Sequence, residues 1–180
     1  MLYELKDCRT GGKPVYDTTV DITEKDGVVK FKFTAHHTEY YSSGEKYNDI
    51  HSAGDACEIL IGSDPERKVY YEIEISTENQ LMIAKMTNCG VDEQNFPVLD
   101  IDFVDECFVK SNVERTDFGY IAELEFELKN IMSGDGEIYF NAYRLETDGG
   151  ELDKHLFALF PTMFPKFHVP SYFCYLKDFT

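Results

Sequence analysis

Carboxylates, tyrosines and a few cations are the residues in this chain that could do chemistry, and no motif gathers them. Glu58, Glu72, Glu74, Glu123 and Glu125 are of the type a glycosidase needs, two carboxyls across a sugar bond with one held protonated. The same acids alternate with apolar residues, which is also how a solvated sheet face reads. No serine stands in a Gly-x-Ser-x-Gly elbow, and neither a Gly-x-Gly-x-x-Gly loop nor a Walker sequence is present. His36, His37, His51, His155 and His168 show no His-x-His or His-x3-His spacing, so spacing predicts no zinc or copper centre. Calcium stays open, because Asp and Asn are common in the turns although no EF-hand pattern is present.

Rings and amides suit a different chemistry. A sugar is recognised by an aromatic face against its C–H side, with amides, carboxylates and guanidinium groups on its hydroxyls. The alternation over 54–76 puts Glu58, Tyr70, Glu72 and Glu74 on one face, opposite Cys57, Ile59, Ile61, Ile73 and Ile75. Tyr139, Asn141 and Tyr143 alternate outward in the same way along 137–145. The greasy side of the 54–76 hairpin must be covered by another sheet, and its other side is expected to be free to bind something polar. Arg144 has inward parity with Ala142, which predicts either a strand-end cation, exposed or salt-bridged, or one projecting into a polar pocket. The stretch 36–53 breaks the strand rhythm and adds Tyr40, Tyr41, Tyr47 and His51, a composition that favours a working loop over disorder.

The elements that must position these residues are strands. Period-two alternation predicts strands over 15–22, 28–35, 54–62, 69–76, 80–86, 119–128 and 137–145, with shorter ones over 99–104 and 106–113 and a closing strand over 173–179. Turn chemistry falls at Lys25-Asp26-Gly27, Gly62 to Lys68, Ser133 to Gly136 and Thr147 to Gly150, and 87–100 reads as a long connection. No stretch keeps a helical period, and 128–132 has room for a single turn. The expected fold is all-β, a sandwich of two antiparallel sheets of jelly-roll or immunoglobulin-like type, in one domain spanning 1–180.

Composition narrows the partners. With 17 basic against 34 acidic residues the net charge is −17, which argues against nucleic acid or an anionic membrane as partner. Cys8, Cys57, Cys89, Cys107 and Cys174 have neither zinc-finger nor redox spacing and read as reduced thiols. The opening Met-Leu-Tyr-Glu-Leu-Lys-Asp lacks a basic region followed by an apolar one, so the expected location is cytoplasmic.

Five blocks fall in an order and spacing that resemble the family 9 carbohydrate-binding modules and their relatives in the DOMON-like group. They are Gly54 to Ile61, Tyr70 to Ile75, Gly119 to Phe126, Phe140 to Arg144, and Ala158 to Thr162 followed by Phe167-His-Val-Pro170. The resemblance implies a non-catalytic sandwich that binds a mono- or oligosaccharide, in some relatives with structural calcium and beside a glycoside hydrolase acting on xylan or glucan. It places Glu58 at the acidic position of an Asp-x-x-Glu strand, Lys85 near a basic position, and Asn141 and Arg144 in an Asn-x-x-Arg block. Family modules clamp the sugar between two tryptophans, and this chain has none: the positions fall at Ser52, beside His51, and at Leu159. Tyr40, Tyr41, Tyr47 or Tyr143 are the candidates to supply the stacking surface instead. The alternatives are a protein-interaction sandwich without sugar affinity, a glycoside hydrolase, and a haem-binding relative.

Overall fold

The computed structural model describes every residue except 43, 45, 50–53, 133–135 and 149–154. Five of its strands form one antiparallel sheet, in the order Leu2–Glu4 (β1), Thr18–Lys25 (β3), Val28–His36 (β4), Gly119–Glu127 (β10), Lys110–Arg115 (β9). Eight form the second, whose path runs Lys6–Asp7 (β2), His155–Ala158 (β12), Tyr139–Glu146 (β11), Ala56–Gly62 (β5), Val69–Ser76 (β6), Leu81–Val91 (β7), Pro97–Phe103 (β8). The remaining strand, Cys174–Tyr175 (β13), pairs with the start of β11.

Strict alternation is what lets these sheets stack. Val29, Phe31, Phe33 and Ala35 on β4 are fully buried against Cys57, Ile59 and Ile61 on β5 and Ile73 and Ile75 on β6, a single core between two layers. Each such side chain contributes about 1.5–3 kcal/mol relative to exposure. The β3–β4 connection is a two-residue turn with both φ angles positive, Asp26 at 53° and Gly27 at 78°, the pairing that matches the twist of a hairpin.

Several boundaries differ from the sequence expectation. The first expected strand starts at Thr18 rather than Val15. The 87–100 connection is instead a hairpin: β7 runs on to Val91, irregular between Asn88 and Val91, and turns back into β8. Its polar, exposed residues hide the alternation that a half-buried strand displays. The expected closing strand contracts to Cys174–Tyr175 followed by a 3-10 turn over Leu176–Asp178. The lead-in supplies two short edge strands, and His155–Ala158 is a strand inside the Phe/Pro-rich tail. The single helical turn expected over 128–132 is a 3-10 turn at Leu128–Asn130.

Candidate functional site

The outer face of the eight-stranded sheet, turned away from the sandwich core, carries the acids. Register places Tyr143, Glu58 and Glu74 in one row across β11, β5 and β6, because Tyr143 pairs with Glu58 and Glu58 with Glu74. Asn141, Leu60 and Glu72 form the adjacent row, and Tyr139 and Tyr70 stand beyond it. The parity expected from the sequence is therefore found. The expected openness is not. Glu58, Glu72 and Glu74 are only 3%, 4% and 5% exposed, and Tyr70 and Tyr143 are buried.

The cover over part of this face is the chain's own C-terminal stretch. Phe167 stacks on Tyr143 at 4.3 Å between ring centroids, and the Tyr143 hydroxyl donates to the Phe167 carbonyl at 2.9 Å. Phe173 packs edge-on against Tyr70 at 5.2 Å. Apolar side chains (Leu60, Met86, Phe167 and Phe173) join these rings in a second core, which the sequence reading did not anticipate. His168 sits between ring and acid: Nδ1 is 3.1 Å from the Tyr70 hydroxyl and Nε2 is 3.4 Å from Glu72 Oε1. No spacing signal could have found it, since it lies 98 residues from Tyr70 in the chain.

The carboxyls carry more acceptor capacity than the protein satisfies. Glu58 Oε1, Glu72 Oε2 and Glu74 Oε2 are buried without a hydrogen-bond partner. Burial first, then the Glu72 and Glu74 charges, pushes Glu58 well above the ordinary carboxylic range, and burial together with Glu72 does the same to Glu74. Ionised carboxylates cost several kcal/mol each to bury unpaired, so three charges do not sit here uncompensated. Glu58 stands directly opposite Glu74 in the ladder, with Glu72 in the adjacent row, and the raised carboxyl pKa values keep the three charges from coexisting.

The other expected site residues scatter. Asn141 lies on this face, but its amide is consumed internally: Nδ2 donates to the Phe160 carbonyl at 2.8 Å, and Oδ1 accepts from the Ala142 and Phe160 amides at 2.9 and 3.1 Å. Lys85 pairs with Tyr71, shares its parity and so lies on the opposite face from Glu72. Tyr47 donates to the Val104 carbonyl at 2.7 Å and packs on the core between the sheets. Tyr41 is 37% exposed, and its backbone brackets Asp55, whose amide donates to the Tyr41 carbonyl at 2.7 Å. Gly54, at φ +151°, makes that approach feasible, since a Cβ there would stand 2.6 Å from the same carbonyl oxygen. His51 lies outside the described residues.

Arg144 belongs to a separate knot inside the sandwich. Its Nη1 donates to Thr18 Oγ1 at 2.8 Å, Nη2 pairs with Glu146 Oε2, and the guanidinium lies 5.4 Å from the Tyr120 ring centroid. Glu146 also meets His37 Nδ1 at 3.0 Å, and Asp148 bonds both Tyr16 and His155. The Arg144 side chain is buried and paired, not at an exposed strand end.

A groove of about 670 Å³ opens elsewhere, lined in part by Lys6, Lys13, Pro14, Asp17, Thr18 and His36. No Tyr or Phe ring lines it.

No protein-family model and no curated protein sequence matches this chain. Solved structures do match in fold. A Bacteroides uniformis protein provisionally assigned to carbohydrate binding aligns with TM-score 0.74 at 13% identity, over 96% of this chain and 84% of that one. A family 9 carbohydrate-binding module from Caldicellulosiruptor kristjanssonii in complex with glucose aligns at TM-score 0.58 and 14% identity, over 96% of this chain and 82% of the module. A family 9 module from the same organism in complex with cellotriose gives TM-score 0.54 at 12% identity, over 98% of this chain and 80% of the module. The chain thus has the sandwich fold of those modules.

Proposed function

We propose that this chain is a non-catalytic carbohydrate-binding domain that takes a mono- or oligosaccharide on the outer face of the eight-stranded sheet, around Glu58. The observation that carries the reading is the set of three buried carboxyl oxygens lacking donors, at the centre of that face. Sugar hydroxyls are donors of the right kind for free carboxyl oxygens. The fold shared with the glucose- and cellotriose-bound modules supports the ligand class. Glu58 and Tyr143, both expected at a sugar site, stand side by side there. Phe167 occupies the stacking position over Tyr143, so a ligand has to lie beside that ring; the end of the face that carries Ala56, Ser76 and Leu145 is the one toward Tyr41. Tyr41, bracketing Asp55 just before β5, is the exposed ring nearest in the chain to that end.

Catalysis is disfavoured by the acids themselves. Glycoside hydrolysis needs two carboxyls about 5–9.5 Å apart across a bond. Here Glu58 and Glu74 face each other on adjacent strands and both are buried, so no glycosidic bond lies between them. A second address for the sugar is the 670 Å³ groove, favoured by its room and disfavoured by its lack of a stacking ring.

Calorimetric titration with glucose, cello-oligosaccharides and xylo-oligosaccharides, all in chelator, tests both addresses and the proposed tie to glucan or xylan breakdown beside a hydrolase. Glu58→Gln is expected to weaken binding at least ~10-fold, because the amide NH2 replaces an acceptor oxygen at the sugar, while Lys13→Ala leaves it unchanged. The reverse pattern moves the site to the groove. No binding of any of these sugars by the wild type sinks the function.

A further inference from the structure

We propose that Glu58, Glu72 and His168 form a binding site for a divalent transition-metal ion, zinc being the best match to their donor set. Glu58 and Glu72 each offer a carboxylate oxygen and His168 a ring nitrogen, and the three atoms lie within 4.8 Å of one another. A tetrahedral zinc with bonds of about 2.0–2.2 Å holds its ligand atoms roughly 3.3–3.5 Å apart. Glu72 Oε1 and His168 Nε2 stand 3.4 Å apart.

The two acids also have acceptor capacity to spare for a cation. Glu58 and Glu72 are 3% and 4% exposed, and each leaves one oxygen without a partner. Among the described residues the basic group recorded against this trio is His168, itself one of the ligands. A divalent metal would take up those free oxygens as ligands and supply the positive charge that lets both acids ionise in a buried place.

The surroundings already resemble those of a metal-bound histidine. Such an imidazole hydrogen-bonds through its other nitrogen, which fixes its ring. Here Nδ1 meets the Tyr70 hydroxyl at 3.1 Å, leaving Nε2 turned to the acids. Glu74, directly opposite Glu58 in the ladder, stands beside that ligand as a further acid. A nitrogen donor selects zinc over calcium or magnesium, which prefer all-oxygen sets.

The described residues contain one other such group, His37, Glu146 and Asp148, and it makes a useful contrast. There Glu146 is paired with Arg144, and Asp148 bonds Tyr16 and His155. No oxygen of that group is without a partner. It is closed by the protein, whereas the Glu58 group is not.

The test titrates zinc alone into chelator-stripped, chelator-free protein, with no sugar present. We expect saturable binding of one equivalent and a rise in Tm of about 5–10 °C at a hundredfold excess over Kd. Glu58→Gln and His168→Ala should each weaken binding by more than the ~10–100-fold typical of a lost supporting partner, and His37→Asn should not change it. Glu58→Gln keeps the shape of the buried side chain, so it is expected to fold. In the wild type the His168 ring resonances should move on adding zinc while those of His37 and His155 stay. Absence of one-equivalent binding, or binding that responds to His37→Asn rather than to Glu58→Gln, overturns the site. Failure here leaves the carbohydrate reading untouched, because the sugar titrations are run in chelator.

Discussion

Arg144 and Asn141 look like one block in the sequence, yet they face opposite sides of β11. A spacing of three is odd, and odd spacings on a strand point apart. Arg144 therefore enters the core, where Glu146 and Thr18 hold its charge while Nε is left unbonded. Removing one member of a buried pair strands the other, at a cost of about 3–5 kcal/mol. Arg144→Met should lose that much stability in urea unfolding, and a double variant, Arg144→Met with Glu146→Leu, should regain much of it. Sugar affinity of the folded single variant should be unchanged, since the guanidinium never reaches the Glu58 face. A loss below ~1 kcal/mol would mean that His37 and water already compensate Glu146.

At the scale of elements, the hairpin from β5 to β6 is the most legible piece of the chain. Its alternation fixes register, and register brings Glu58 opposite Glu74. The turn between them is organised by Asp64, whose Oδ1 accepts from the Glu66 amide at 3.1 Å and Oδ2 from the Lys68 and Val69 amides, both at 2.9 Å. Burial is the largest single influence and opposes ionisation, but the three N–H bonds and the nearby Lys68 together outweigh it and hold the Asp64 carboxyl below its usual range. A depressed folded pKa contributes stability above the unfolded value of about 3.9 and loses it as pH falls through the folded pKa. Hence Asp64→Asn should lower stability at pH 6 while flattening the wild type's decline between roughly pH 4 and 2. Equal slopes for both proteins in that window would show that other acids govern it. What the sequence conceals is also an element. Phe167 to Phe173 has no period and lies over a face whose strands alternate as if for water. Alternation tells which residues share a side, not whether a distant segment covers them. So Glu58, Glu72 and Glu74 could be grouped from the sequence, whereas their burial and the arrival of His168 could not.

For the whole molecule, charge decides which of two opposing effects dominates. Surface ion pairs exist, among them Lys30 with Glu123 at 2.9 Å and Lys110 with Glu125 at 3.0 Å, and salt weakens them. Exposed pairs contribute only about 0–1 kcal/mol each. Against them stands a net charge of −17, a self-repulsion that salt relieves. The Debye length shrinks from about 30 Å at 0.01 M to about 8 Å at 0.15 M, from roughly a domain's width to less than one sheet-to-sheet spacing. Repulsion between distant acids is therefore screened first, while contacts near 3 Å persist. Tm should rise steadily with sodium chloride across that range, at neutral pH and in chelator. Choline chloride should act equally, because screening depends on ionic strength and not on a bound cation. A Tm that falls with either salt would mean that the ion pairs outweigh the excess of acids.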